Sequence, residues 1–158
     1  MKDEICLRLA TRADAAAIAA VLREAFGEFQ PLYTPEAFPR TVIGAEEVEQ
    51  RIQEGPVWVS MVAGEIAGTA SAVAQGQIFY IRGMAVVPSA RGKGIARRLL
   101  EEIDKAARQN SCNRLRLSTT PFLESAIRLY ERFGFTREPE GIRDWYGTPL
   151  LFMEKAIG

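Results

Sequence analysis

The residues best placed to do chemistry in this chain are Arg91, Gly92, Lys93, Gly94, Ile95 and Ala96, a basic, glycine-rich run at the junction of two hydrophobic periods. Upstream, Ile78 to Val87 is dominated by apolar and aromatic residues and reads as a strand, which Pro88 ends because it has no N–H to give to a ladder. Downstream, Ile95, Leu99, Ile103 and Ala106 recur at helical spacing, with Arg97, Arg98, Glu101, Glu102, Lys105 and Arg108 on the other face. A helix therefore begins near Gly92 to Gly94. Glycine in a helix costs about 1 kcal/mol relative to alanine, so two at this start imply that the backbone needs them. The first turn of a helix offers N–H groups without internal partners at the positive end of the dipole, a combination that attracts phosphate. Arg91 and Lys93 add charge to the same spot. A P-loop is excluded, because Lys93 is followed by Gly94 in place of Ser or Thr, with no Gly-x-x-x-x-Gly-Lys spacing before it.

The elements that position this turn follow from patterning. Ile5 to Leu9 reads as a first strand, and Thr11 or Asp14 caps a helix that runs through Phe26. Pro31, Pro35 and Pro39 then interrupt Gly27 to Thr41 among Phe29, Tyr33 and Phe38, giving a loop or broken helix. Gly44 to Glu54 is a short helix closed by Gly55 and Pro56. Val57 to Ala63, Ile66 to Ala74 and Ile78 to Val87 form an antiparallel meander with turns at Gly64-Glu65 and Gln75-Gly76-Gln77. After the central helix, Asn110 to Asn113 breaks the pattern and Leu115 and Leu117 mark a strand. Thr119-Thr120-Pro121 then starts a helix through Ala126, Ile127, Leu129, Tyr130 and Phe133, stopped by Gly134. Thr136 to Ile157 supplies two more short strands.

The central run resembles the acyl-CoA-binding motif of the GNAT acetyltransferase superfamily, Gln/Arg-x-x-Gly-x-Gly/Ala, which is met by Arg91, Gly94 and Ala96. Met84-Ala85-Val86-Val87-Pro88 matches the apolar-x-Val-x-Pro strand before that motif, and Leu99-Leu100 the pair that follows it. Ala126 to Phe135 is similar to a second signature, in which Ala, Tyr and Gly-Phe hold the spacing of Ala126, Tyr130 and Gly134-Phe135. The resemblance implies an α/β GNAT fold: a mixed, mostly antiparallel sheet of about six to seven strands flanked by about four helices, with a splayed parallel pair in the middle. It also implies acetyl-CoA as co-substrate. Pantetheine would enter between the strand ending at Val87 and the one near Leu115 to Leu117. The backbone of Met84, Ala85 and Val86 would hold its amides and the thioester oxygen, and the N–H groups from Gly92 to Ala96 the pyrophosphate.

By the same resemblance, a primary amine attacks the thioester directly and Tyr130 protonates the leaving thiolate, although Tyr130 also stands where an amphipathic helix places a core aromatic. Two positions depart from the family. An Asn that often contacts CoA falls at Leu123, leaving Thr119 or Thr120 to serve, and a Glu carried on the fourth strand falls near Tyr80. Glu28, Glu36 and Asp144 are the remaining acidic candidates, each with the alternative role of a solvated surface charge; a water chain is the other route for the proton. The acceptor is open between a small molecule and a protein N-terminus or lysine. A non-catalytic CoA-binding regulatory or scaffold domain of the same fold is the competing expectation.

Composition narrows the classes further. The 158 residues suit a single domain spanning 1–158, and the 20 Lys plus Arg balance the 20 Asp plus Glu, which argues against a nucleic-acid partner. No apolar run approaches the roughly 20 residues of a membrane helix. The start Met1-Lys2-Asp3-Glu4 leads into a strand-like segment unlike a signal peptide, so the expected location is cytoplasmic. With no histidine, a His triad, a His base and a His metal site are excluded. Cys6 and Cys112 are too few for a disulfide framework, lack companions at metal spacing, and are expected to be small buried apolar residues. No metal site is expected; a homodimer is one assembly left open.

Overall fold

A computed structural model describes residues 4–158, so Met1 to Asp3 of the charged start lie outside the described residues. Strand β1 (Ile5–Leu9) leads through a single 3-10 turn into α1 (Ala15–Phe26). The chain from Gly27 to Leu32 tightens into 3-10 geometry around Pro31, and after a turn α2 (Phe38–Thr41) makes one helical turn with Pro39 near its start. This is the broken helix that the three prolines predict. Helix α3 (Ala45–Glu54) follows, then the meander β2 (Val57–Val62), β3 (Glu65–Gln75) and β4 (Ile78–Val86). The β2–β3 turn uses two residues of positive φ, Ala63 at 51° and Gly64 at 82°, the geometry that matches strand twist in a tight hairpin.

Helix α4 (Ile95–Gln109) carries the chain over to β5 (Arg114–Thr119), which pairs with β4 in parallel. A parallel pair needs such a crossover, because its two strands run the same way. Helix α5 (Glu124–Phe133) precedes β6 (Thr136–Arg137), β7 (Arg143–Trp145) and β8 (Thr148–Ala156). The sheet runs β1-β2-β3-β4-β5-β8-β6, with β7 paired to β8. All of its other pairings are antiparallel. The splayed parallel pair is therefore present in a mixed α/β sheet of the expected kind.

The two faces of the sheet are covered by different helices. Ile18 and Leu22 of α1 and Val48 of α3 lie over Thr69 and Ser71 of β3. Ile95 of α4 lies against Gly68, whose neighbouring position in the strand points the other way. Helix α5 shares that second face, since Lys155 of β8 reaches both Asp104 of α4 and the ring of Phe133. The α4 stripe Leu99, Leu100, Ile103 and Ala107 is fully buried against the sheet with Leu115 and Met153. No helix among the described residues is long and apolar enough to cross a membrane.

Among the described residues the sheet has eight strands and there are five helices counting the single turn α2, in keeping with the expected mixed α/β fold. Other expectations need correction. The tail gives three strands, one of them nine residues long, because Pro149 sits opposite Asp144 in the β7–β8 pair without ending β8. Helix α5 starts at Glu124, not near Pro121: Leu123 has ψ 63°, outside the helical range, and its N–H closes a turn on the Thr120 carbonyl. Cys112 is buried, but Cys6 is exposed on the edge strand β1.

Of the two predicted caps neither bonds α1 itself; Thr11 and Asp14 instead pair as a capping box around the 3-10 turn that leads into it. The Asp14 carboxylate accepts from the Thr11 N–H at 2.8 Å and from Arg8 Nη1 at 2.7 Å. The hydrogen bond from Arg8 chiefly holds its pKa down, to about 2. Loss of such a cap, as in Asp14→Ala, costs about 1 kcal/mol, a melting-temperature drop of about 2–4 °C at this size. A carboxyl with a depressed native pKa stabilises above its unfolded value of about 3.9, and that stability fades as pH falls towards its native pKa. Melting curves of parent and variant should differ at neutral pH and converge towards pH 2; a gap that widens on acidification contradicts this account of Asp14.

Candidate active site

Strands β4 and β5 pair only from Ile78–Arg114 to Ile81–Leu117. Beyond that point β5 pairs with β8 alone, through Ser118–Phe152 and Thr119–Leu151. Strand β4 stays on β3 but gains a residue: Ser71 faces Arg82 while Thr69 faces Ala85. Ala70 of β3 thus opposes both Gly83 and Met84 of β4, a bulge in which Gly83 takes φ 68°. The Val87 N–H donates to the Ala67 carbonyl of β3 at 2.9 Å. By the alternation of an antiparallel ladder, Ala85 also turns its backbone to β3, while Met84 and Val86 turn theirs to the side that β5 has left. The result is a slot with an unpaired strand edge. The Tyr80 hydroxyl and Ser118 Oγ, 2.9 Å apart, tie the strands together where the slot begins.

The slot ends at the glycine turn. Gly92 and Gly94 both take φ 81°, a left-handed conformation in which glycine escapes the Cβ penalty. A Cβ at either would meet nothing within 4 Å, so the space before the helix is open. The first hydrogen bond of α4 runs from the Arg98 N–H to the Gly94 carbonyl, which leaves the N–H groups of Ile95, Ala96 and Arg97 without helical acceptors. No side chain caps them. Lys93 is exposed beside them. Arg91 is committed elsewhere: Nη1 reaches Glu28 at 2.5 Å, Nη2 the Ala25 carbonyl at 3.0 Å and Nε the Val86 carbonyl at 3.3 Å. Its guanidinium clasps the turn to the C-terminal end of α1.

Tyr130 approaches from α5 on the α4 side of the sheet. Its hydroxyl donates to Met84 Sδ at 3.8 Å, its ring meets Phe135 edge-on, and burial pushes its pKa up to about 12. Thr120, at the corner before α5, is buried with an Oγ1 that has no partner among the described residues, and Thr119 is buried beside it. Leu123 caps α5 with no side-chain hydrogen bond. The aromatic segment after α1 packs onto this corner, Tyr33 edge-on to Phe122 at 4.9 Å and Phe29 stacked on it at 6.4 Å. It also grips the β7–β8 hairpin, for Thr34 Oγ1 donates to the Tyr146 carbonyl at 2.6 Å and Arg40 covers the Tyr146 ring at 3.9 Å. Of the acidic candidates, Glu28 holds Arg91, Glu36 is exposed, and exposed Asp144 accepts from the Gly147 N–H in its own turn.

The parted parallel strands beside a glycine-started helix are what the family resemblance implies; the bulge in β4 is not part of that expectation. Comparison with known proteins identifies the family. The model of the acetyltransferase (GNAT) family matches residues 18–135. The chain belongs to that family. It is 30% identical over 135 residues to the uncharacterized N-acetyltransferase YjgM of Escherichia coli (strain K12), covering 82% of this chain and 80% of that protein. Its fold is similar to that of the PaiA N-acetyltransferase from Thermoplasma acidophilum, solved with coenzyme A (TM-score 0.81, 17% identity, 97% of this chain and 99% of that one). It is also similar to YncA from Salmonella typhimurium, a putative acetyltransferase solved with acetyl-CoA (TM-score 0.76, 23% identity, 98% and 95%).

The glycine turn makes a stability prediction that needs no ligand. Gly94→Ala fits sterically but forces alanine into the left-handed region, at a cost of about 1–2 kcal/mol. Thermal denaturation should show a melting temperature lower by several degrees; an unchanged value would mean that the turn relaxes freely and that Gly94 is not held at positive φ.

Proposed function

We propose that this GNAT-family chain transfers an acetyl group from acetyl-CoA to a primary amine in a ternary complex. The observation that carries the reading is the unpaired edge of β4 running directly into an uncapped helix start. Backbone groups of Met84 and Val86 suit the amides of pantetheine, which would lie along β4 as a further strand does. The N–H groups of Gly92 to Ala96 suit the pyrophosphate, with Lys93 adding charge and Arg91 holding the turn in place. Solved relatives hold coenzyme A and acetyl-CoA, which supports the choice of ligand.

In the step itself the amine nitrogen attacks the thioester carbonyl carbon, the new C–N bond forms, the C–S bond breaks, and the nitrogen gives up a proton as the sulfur acquires one. Tyr130 stands on the α5 side with its hydroxyl over Met84, where a leaving sulfur in the slot would receive its hydrogen bond. An acetyl-cysteine intermediate has no support. Cys6 is on the far edge strand, and Cys112 lies beside Gly76, at the opposite end of β4 from Met84, with its thiol pKa raised by burial.

The competing non-catalytic reading draws on Tyr80, which puts a phenol where the resemblance expects a carboxylate. Release of free thiol from acetyl-CoA that depends on added amine separates the two. Acetyl-CoA or CoA at a hundredfold excess over Kd should add about 2.7 kcal/mol to stability; a melting temperature unmoved by millimolar CoA would refute the site. Tyr130→Phe keeps the ring and should lower kcat by about 10²- to 10³-fold, the scale of a lost oxyanion-type donor, with CoA affinity and melting temperature near the parent. An unchanged kcat would make Tyr130 a packing residue only.

A further inference from the structure

Arg51 lies on the inner face of α3, one turn after buried Val48 and next to Ile52, which packs against the core. Its guanidinium covers the bulge of β4. A Cβ built on Gly83 would stand 2.7 Å from Arg51 Nη1 and 3.8 Å from Ser71 Oγ, so the charge occupies space that only glycine leaves. Arg82 and the Tyr80 phenol are within electrostatic reach. Among the described residues Arg51 has neither an ion pair nor a side-chain hydrogen bond. Glu54 is taken by Arg82 at 2.6 Å, and Glu47 acts on Arg51 only through space. Arg82 Nε is buried with no partner of its own among the described residues. Two guanidiniums thus have one hydrogen-bonded carboxylate between them, that of Glu54.

A half-buried, unpaired charge is costly, and the planar fork of arginine fits a carboxylate through two parallel hydrogen bonds. Burial lowers the pKa of Arg51, and the charge of Arg82 lowers it further; a bound anion would relieve both. The crevice on the core side of Arg51 offers about 10 Å³, room for one water. An anion must therefore come from the open side. Tyr80, Arg82 and Ser71 share the α1–α3 face of the sheet, the face opposite α5 and Tyr130. With the leaving sulfur met by Tyr130, this is the side from which an attacking amine enters.

We propose that Arg51, backed by Arg82, binds a carboxylate of the acceptor, which is then an amino acid or a similar small amine bearing a carboxylate near its nitrogen. The proposal rests on the acetyltransferase reading above. The same two charges repel a polycationic acceptor such as a polyamine.

The test is thiol release from acetyl-CoA with the protein amino acids, each paired with its carboxamide, and with spermidine and tyramine as carboxylate-free amines. At least one amino acid should be used with kcat/KM about 10- to 100-fold above its carboxamide, the scale of a charge-assisted hydrogen bond. Arg51→Gln should raise KM for that amino acid by a similar factor, leave the carboxamide unaffected and change kcat little, and Arg51→Lys should recover part of the loss. A CoA-induced rise in melting temperature verifies folding of each variant; if Arg51→Gln fails it, Arg51→Lys and the paired substrates still decide. Carboxamides or spermidine used as well as amino acids, or a preference unchanged in Arg51→Gln, overturn the proposal and leave the acetyltransferase reading intact. No release with any amine, from protein that CoA stabilises, overturns both.

Discussion

From Gly83 to Val86 one edge of β4 has no strand beside it, although β4 lies in the middle of the sheet. Such groups are costly when dry, about 1–3 kcal/mol for each donor or acceptor left unmade, so the edge stays wet or is filled by another chain-like partner. The bulge at Gly83 creates this condition. Without the extra residue β4 would continue in register with β5, and the slot would close. Topology supplies the rest. Because β5 is parallel to β4, a helix must start where β4 ends, and its unfilled N–H groups necessarily lie at the end of the slot.

The chain has no net charge, and near the slot its charges are spent in pairs that position loops. Arg91 joins the glycine turn to α1 through the Ala25 carbonyl and to the 3-10 segment after it through Glu28, and Arg82 meets Glu54 at the end of α3. Arg116 of β5 forks onto Glu138 at 2.7 and 3.0 Å, which holds the Glu138 carboxyl below its usual range. Exposed pairs add little stability, so their value here lies in geometry. Arg51 and Lys93 stand outside these pairs, one on the face of the slot opposite Tyr130 and the other at its phosphate end.

What could be read from the sequence was local. The switch from strand to helical period, with glycines between, locates the turn because both signals lie within a few residues. Tyr130 is singled out by the resemblance of Ala126 to Phe135 to a family signature, which also lies within a few residues. What could not be read depends on distant partners. The Arg91–Glu28 pair joins positions 63 apart, so the clasp that Arg91 makes on the turn is not visible in the sequence. Ala85 looks like Met84 and Val86 in sequence, and only its register with Thr69 turns its backbone away from the slot. The tail reads as two short strands, yet β8 alone runs nine residues, through Pro149. Arg51 left one trace, a charge one turn from Val48 on an otherwise apolar stripe, with no hint of the bulge beneath it.

Burial gives Tyr130 a property that decides what it can contribute. Burial pushes its pKa up to about 12, above the roughly 8.5 of an ordinary thiol, so full transfer of its proton to a thiolate is unfavourable. The same burial keeps the phenol protonated throughout the physiological range. On the proposed reading its hydrogen is thus always available to a sulfur that gains charge as the C–S bond breaks. On the same reading, the proton carried away by CoA would come from the more acidic source, the ammonium formed when the amine attacks, with Tyr130 holding the hydrogen bond while it passes. On this account the poor acidity of Tyr130 is compatible with catalysis, because it stabilises the leaving group without having to lose its own proton.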